Sequence, residues 1–137
     1  MRNKLEISIA SGEEPPLEES EIESITRYIF NSEIDHLSEL SIAFVSRMEM
    51  ARINQQFHGE KGATDVLAFD YEDETAEIVI CPDQLHQQAE EFSRSPDDEC
   101  REVLIHGLLH LAGYDHETDE GHHLALQSQY FEAYGEN

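Results

Sequence analysis

Every strand-like stretch of this chain lies at or before Cys81, and everything after it reads as helix. That order limits the fold more than any other feature, because helices that follow the strands as a block pack together on one face of the sheet. Leu5, Ile7 and Ile9 alternate with Glu6 and Ser8, and Leu40, Ile42 and Phe44 repeat the alternation, the period of a half-buried strand. Residues 66–71 and the short β-branched run 78–81 predict a third and a fourth strand. Ile22, Ile25 and Ile29 share one helical face behind a capping box of Ser20 and Glu23. Ser46 with Glu49 opens a second helix that reaches about Phe57, and 58–63 reads as a loop with Gly59 and Gly62. Pro82 suits a first helical turn, with Leu85, Ala89 and Phe92 on one face. Ser95 and Pro96 repeat that start for a helix to about Ala112, closed by Gly113. A last helix carries Leu124, Phe131 and Tyr134 inward and stops near Gly135. The expected fold is one α+β domain over 1–137, a small mixed β-sheet of about four strands with helices packed on it.

Composition narrows the class. A hydrophobic fraction of 39% in 137 residues suits one domain with its own core. The first residues show no signal-peptide pattern, and no stretch approaches the roughly 20 apolar residues of a membrane span. Cys81 and Cys100 lack paired metal-site spacing and fit a reducing cytoplasm better than a disulfide scaffold. Eight Lys and Arg face 31 Asp and Glu, a formal net charge of −23, which reads as a solvated acidic surface that repels bulk nucleic acid. Against that background, Arg47, Arg52 and Lys61 gather three of the eight basic residues into one short region.

The penultimate helix carries the chemistry. His106 and His110 are four apart, so a helix stacks their rings on one face. Gly113 can then turn the chain and bring His116 to a third corner of a tetrahedron. Three histidines leave one position for water, the arrangement of a catalytic zinc site. The neighbours Val103, Leu104, Ile105, Leu108, Leu109 and Leu111 are apolar, so imidazoles placed among them need a reason. His36, His58, His86, His122 and His123 lack this context and read as surface residues.

This zincin-like ligand spacing, H-x-x-x-H-x-x-G-x-x-H, resembles that of metzincin peptidases. Those enzymes place a general-base Glu directly after the first histidine, where this chain has Gly107, and none of its methionines follows the site. Peptide hydrolysis by that mechanism is therefore not expected, and the general base stays unassigned. A bound divalent ion can still stabilise charge developing on a phosphoryl oxygen, and RNA supplies its own 2′-hydroxyl as nucleophile.

His106-Gly107-Leu108-Leu109-His110-Leu111-Ala112-Gly113-Tyr114-Asp115-His116 resembles the signature of the YbeY family of bacterial endoribonucleases and ribosomal RNA maturation factors. Asn54-x-x-Phe57, then Thr64-Asp65-Val66-Leu67-x-Phe69, and Glu77-Ile78-Val79-Ile80-Cys81 add two further matches in order. The resemblance implies one zinc ion at His106, His110 and His116. It also implies single-strand RNA cleavage, maturation of the 3′ end of 16S ribosomal RNA, ribosome quality control, and ribosomal components as partners. The family usually has Arg where this chain has His58, a phosphate contact that a neutral imidazole makes with at most one hydrogen bond. Arg52, His58 and Lys61 are the expected substrate-binding residues. Two other readings stand beside the nuclease: a non-catalytic ribosome-assembly factor with a structural metal, and a different metal-dependent hydrolase. In the first of these, Asp115 or Glu117 would complete the coordination.

Overall fold

A computed structural model describes residues 5–113 and 122–135. The elements in order are β1 (Glu6–Ser11), α1 (Glu19–Glu33), β2 (Glu39–Phe44), α2 (Arg47–His58), β3 (Val66–Asp70), β4 (Thr75–Ile80), α3 (Pro82–Glu91), α4 (Pro96–Leu111) and α5 (His122–Gly135). The four strands form one mixed sheet in the order β1-β2-β4-β3. β1, β2 and β4 run parallel, and β3 is antiparallel to β4. The expected α+β class and mixed four-stranded sheet are therefore observed.

Period-2 alternation divides the sheet into two faces. Leu40, Ile42, Phe44, Ala76, Ile78 and Ile80 join the main core with Ile22, Ile25 and Ile29 of α1 and Leu104, Ile105 and Leu108 of α4. Val79 and Leu67 point the other way and meet Met50 and Ile53 of α2. α2 thus stands across the sheet from α4, a separation that fixes where the basic residues of α2 lie. The rest of that second face carries Glu6, Ser8, Glu39, Ser41, Thr75 and Glu77. Among the described residues no helix is long and apolar enough to cross a membrane. Both cysteines are buried and free, and burial pushes the Cys100 thiol up to about 12.

Two cap expectations hold. Ser46 accepts a hydrogen bond from the Glu49 amide at 3.1 Å, and Ser95 accepts one from the Asp98 amide at 3.1 Å. The Ser20 cap does not hold, because α1 begins at Glu19 with Glu18 as its N-cap and no side-chain cap bond. Leu17 before the cap and Ile22 in the first turn are both buried in the main core. That pair has the positions of a hydrophobic staple, so apolar burial rather than a hydroxyl sets where α1 starts.

Smaller differences have local causes. α2 includes His58, and the left-handed Gly59 closes it with φ 66°. Phe92 is not on the buried face of α3, since it leaves the helical conformation at the C-cap and is 65% exposed. β4 begins at Thr75, earlier than expected, because its first residues alternate with half-exposed Thr75 and Glu77, and Cys81 becomes the N-cap of α3. β3 correspondingly ends at Asp70, before a turn in which Glu72 and Glu74 take positive φ. Phe131 packs against the core as expected, while the side chains of Leu124 and Tyr134 lie outside what the structure describes.

Candidate functional site

α4 is apolar on most sides because it is covered on most sides. Val103, Leu104, Ile105, Gly107, Leu108, Leu109 and Leu111 are all buried between the sheet and the neighbouring helices. The remaining stripe holds Glu102, His106 and His110 at helical spacing, with His106 half-buried and His110 exposed in the last turn. Two of the three expected ligands therefore sit one turn apart on one face. His116, with Asp115 and Glu117, lies outside the described residues.

Gly107 explains itself structurally. A Cβ built there lies 3.5 Å from Ile78 and 3.5 Å from Val66, so the position after His106 faces the sheet. Any side chain at 107 would begin against Ile78 and Val66 on the sheet. Alanine meets only ordinary van der Waals contacts there. Gly107→Ala should leave the fold intact and raise stability by up to about 1 kcal/mol through helix propensity. A urea midpoint clearly below wild type would show that the packing is tighter than these distances imply.

Beside His106 opens a cavity of about 410 Å³ whose polar lining is Thr64, Asp65, Glu99, Glu102, His106 and Gln127. A continuous polar chain runs along its wall. Asp65 accepts hydrogen bonds from the Val66 amide at 2.7 Å and from Gln88 Nε2 at 3.2 Å. Gln88 Nε2 also lies 3.2 Å from Glu99 Oε2. Arg94 donates to Glu99 at 2.8 Å and to Glu102. Gln127 Nε2 donates to Glu102 Oε1 at 3.3 Å, and Gln127 Oε1 lies 2.8 Å from His106 Nδ1. Burial opposes the charge of Arg94, but Glu102, then Glu99 and Asp98, hold its guanidinium above the ordinary value.

Asn54 supports the approach to this wall. It is buried, and its amide donates to the Gly62 carbonyl at 3.0 Å, tying the loop before Thr64 and Asp65 back to α2. The residues of the second motif thus act as a unit, Asn54 on the scaffold and Thr64 and Asp65 at the cavity.

The basic residues lie elsewhere. Arg52 is exposed and engaged by Glu49 and by Gln56 at 2.9 Å. Its hydrogen bond holds the Glu49 carboxyl below the usual range. Arg47 donates to Gln84 and Gln87 at 2.9 and 3.1 Å. His58, exposed at the end of α2, has its ring centre 5.9 Å from that of Phe69, and Lys61 is exposed in the following loop. Among the described residues that line the cavity, Arg52, His58 and Lys61 are absent. Sequence reasoning missed Gln88, Arg94, Glu99, Glu102 and Gln127. The stripe of Glu99, Glu102, His106 and His110 at spacings of three and four was a readable signal for two of them.

A mixed sheet backed by a histidine-bearing helix, with an acid-lined cavity where a strand entry meets that helix, defines an α+β domain with helices on both faces of one sheet and a polar histidine site. The chain belongs to the YbeY family: the model described as Endoribonuclease YbeY matches residues 8–135. It is 41% identical over 90 residues to the Endoribonuclease YbeY of Bdellovibrio bacteriovorus, covering 64% of this chain and 60% of that one. It is 35% identical over 118 residues to the protein of the same name from Thermosipho melanesiensis, covering 82% and 83%. A solution structure from Thermotoga maritima superposes with a TM-score of 0.65 at 35% identity, over 92% of this chain and 87% of that one. The alignment to the Bdellovibrio relative thus spans less than two thirds of that protein's length.

Proposed function

We propose that this protein is a metal-dependent, single-strand-specific endoribonuclease of the cytoplasm. Its substrate in this reading is ribosomal RNA, cut in the maturation of the 16S 3′ end and in ribosome quality control, with ribosomal components as partners. The observation that carries the reading is the meeting of two distant family-like stretches around one cavity, Thr64 and Asp65 at the entry of β3 and His106 on α4. His106 and His110, with His116, would hold one zinc ion, and imidazole nitrogen is one of the usual zinc ligands. Zinc held there would supply a Lewis acid for charge developing on the scissile phosphoryl group. The residues around it have separate tasks. α4, buried on most sides, keeps the histidine stripe rigid, and Asn54 holds the loop that delivers Thr64 and Asp65. Arg52, His58 and Lys61, outside the cavity, would meet phosphates flanking the scissile one.

One observation favours a second reading, a non-catalytic assembly factor. The cavity wall carries Asp65, Glu99 and Glu102, which repel a phosphate, and Arg52 is already paired with Glu49. End-labelled single-stranded and duplex RNA separate the two readings. The nuclease cuts the single strand, spares the duplex, loses activity on chelation and regains it with zinc. Intact RNA with every divalent metal, alongside stoichiometric zinc uptake, would support the assembly factor instead. His58→Arg tests the phosphate role. Replacing an imidazole by a permanently charged bidentate fork should tighten single-strand RNA binding by about 1–2 kcal/mol, roughly 5- to 30-fold. Equal affinity for wild type, His58→Arg and His58→Ala would remove His58 from the RNA path.

A further inference from the structure

His106 Nδ1 lies 2.8 Å from the side-chain oxygen of Gln127, and an amide oxygen can only accept, so this contact is a hydrogen bond in the tautomer that carries its hydrogen on Nδ1. What keeps the amide from presenting its nitrogen instead is Glu102, whose carboxylate takes the Gln127 Nε2 hydrogen at 3.3 Å. An ionised carboxylate offers acceptors only, so a flipped amide would set oxygen against oxygen. Glu102 is fixed in turn by Arg94, which also holds Glu99 and lies 5.1 Å from the centre of the Phe131 ring. The chain of constraint runs from a cation packed between α4 and α5, through a carboxylate and an amide, to one ring nitrogen.

We propose that Gln127 is a positioning residue for metal binding, holding His106 as the Nδ1–H tautomer with its Nε2 lone pair presented as the metal ligand. This rests on the reading of His106 as a ligand and assigns α5 a part in the site. A transition metal binds neutral imidazole through the nitrogen that lacks hydrogen, and the partner on the other nitrogen decides which one that is. An acceptor on Nδ1 also stops the ring from rotating about its Cβ–Cγ bond. The choice of Gln rather than Glu at 127 follows from the same geometry, since a second carboxylate would face Glu102 without a hydrogen between them.

Nitrogen-15 spectra of the histidine rings in the metal-free protein test the tautomer directly, with His106 assigned by comparison with His106→Gln. The expected pattern is a protonated Nδ1 and a bare Nε2. A predominant Nε2–H form in wild type overturns the proposal without recourse to any variant. Zinc affinity by chelator competition tests the consequence. Gln127→Leu removes both hydrogen bonds at similar volume and should weaken zinc binding about 10- to 100-fold, the usual cost of losing a ligand's outer partner. The exchange Gln127→Glu with Glu102→Gln keeps one amide and one carboxylate and again offers His106 an acceptor, so it should restore affinity toward wild type. Undiminished binding by Gln127→Leu, or an exchange variant as weak as Gln127→Leu, overturns the positioning role while zinc binding stands. Should Gln127→Leu fail to fold, the wild-type spectrum and the exchange variant still decide. No zinc uptake by wild type would overturn the metal reading itself, and this proposal with it.

Discussion

His110→Ala should abolish stoichiometric zinc binding and erase the thermal stabilisation that zinc confers on the wild type. His110 is exposed on the last turn of α4, so its side chain contributes little to the core, and alanine is the better helix former. In the presence of a strong chelator the variant should therefore melt at or slightly above the wild-type temperature. With zinc the two should part. A ligand at a hundredfold excess over its Kd stabilises the state that binds it by about 2.7 kcal/mol. For a chain of this length that is a rise in Tm of roughly 10 °C. Wild type should show it, and His110→Ala should not. A wild-type protein whose Tm ignores zinc, cobalt and nickel alike would remove the metal from the proposed function. A variant less stable than wild type even under chelation would instead mark His110 as part of the fold.

The second large effect is expected at Arg94. Glu99 is buried to 4% exposure, and its carboxylate is met by Arg94 at 2.8 Å and by Gln88 at 3.2 Å. Arg94 also pairs with Glu102 and packs over Phe131, so it joins these two carboxylates of α4 to α5. Removing one partner of a buried pair leaves a charge with neither water nor counter-ion, at a cost of about 3–5 kcal/mol. Arg94→Leu should lose about that much in urea unfolding. Adding Glu99→Gln should recover part of it, because a neutral amide is cheaper to bury than a lone carboxylate. A loss below about 0.5 kcal/mol, the usual range for surface positions, would show that Glu99 finds water in the cavity and needs no cation. The same variant bears on the histidine site, since freeing Glu102 frees the amide of Gln127.

The local skeleton was legible in the residues. Ile22, Ile25 and Ile29 announced the buried face of α1, the alternation at Leu40, Ile42 and Phe44 announced β2, and Ser46, Ser95 and Gly113 marked helix ends where the structure has them. Each of these signals lies within a few residues of its effect, so backbone periodicity and hydrogen-bonding chemistry suffice to read it. The stacking of His106 and His110 on one helix face belongs to the same kind, and so does family membership, which rests on order and spacing along the chain.

Where a partner is far away in sequence, the same reasoning stops. Ser20 and Glu23 formed a plausible cap, yet burial of Leu17 and Ile22 in a core built from distant strands starts α1 two residues earlier, with Glu18 as its N-cap. Arg52 and His58 follow one another on the same short helix, but their distance from the histidines depends on α2 taking the face of the sheet opposite α4. Gly107 looked like a lost catalytic base, and only the approach of Ile78 and Val66 shows that its position faces the sheet. Gln127 stands 21 residues beyond His106 on another helix and carried no motif at all. The sequence by itself determined which segments form helix or strand, which side of each is apolar, and where two histidines stack. Which faces meet, and therefore which amide oxygen reaches His106 Nδ1, was decided by the tertiary structure, because packing brings together groups whose positions no local periodicity relates.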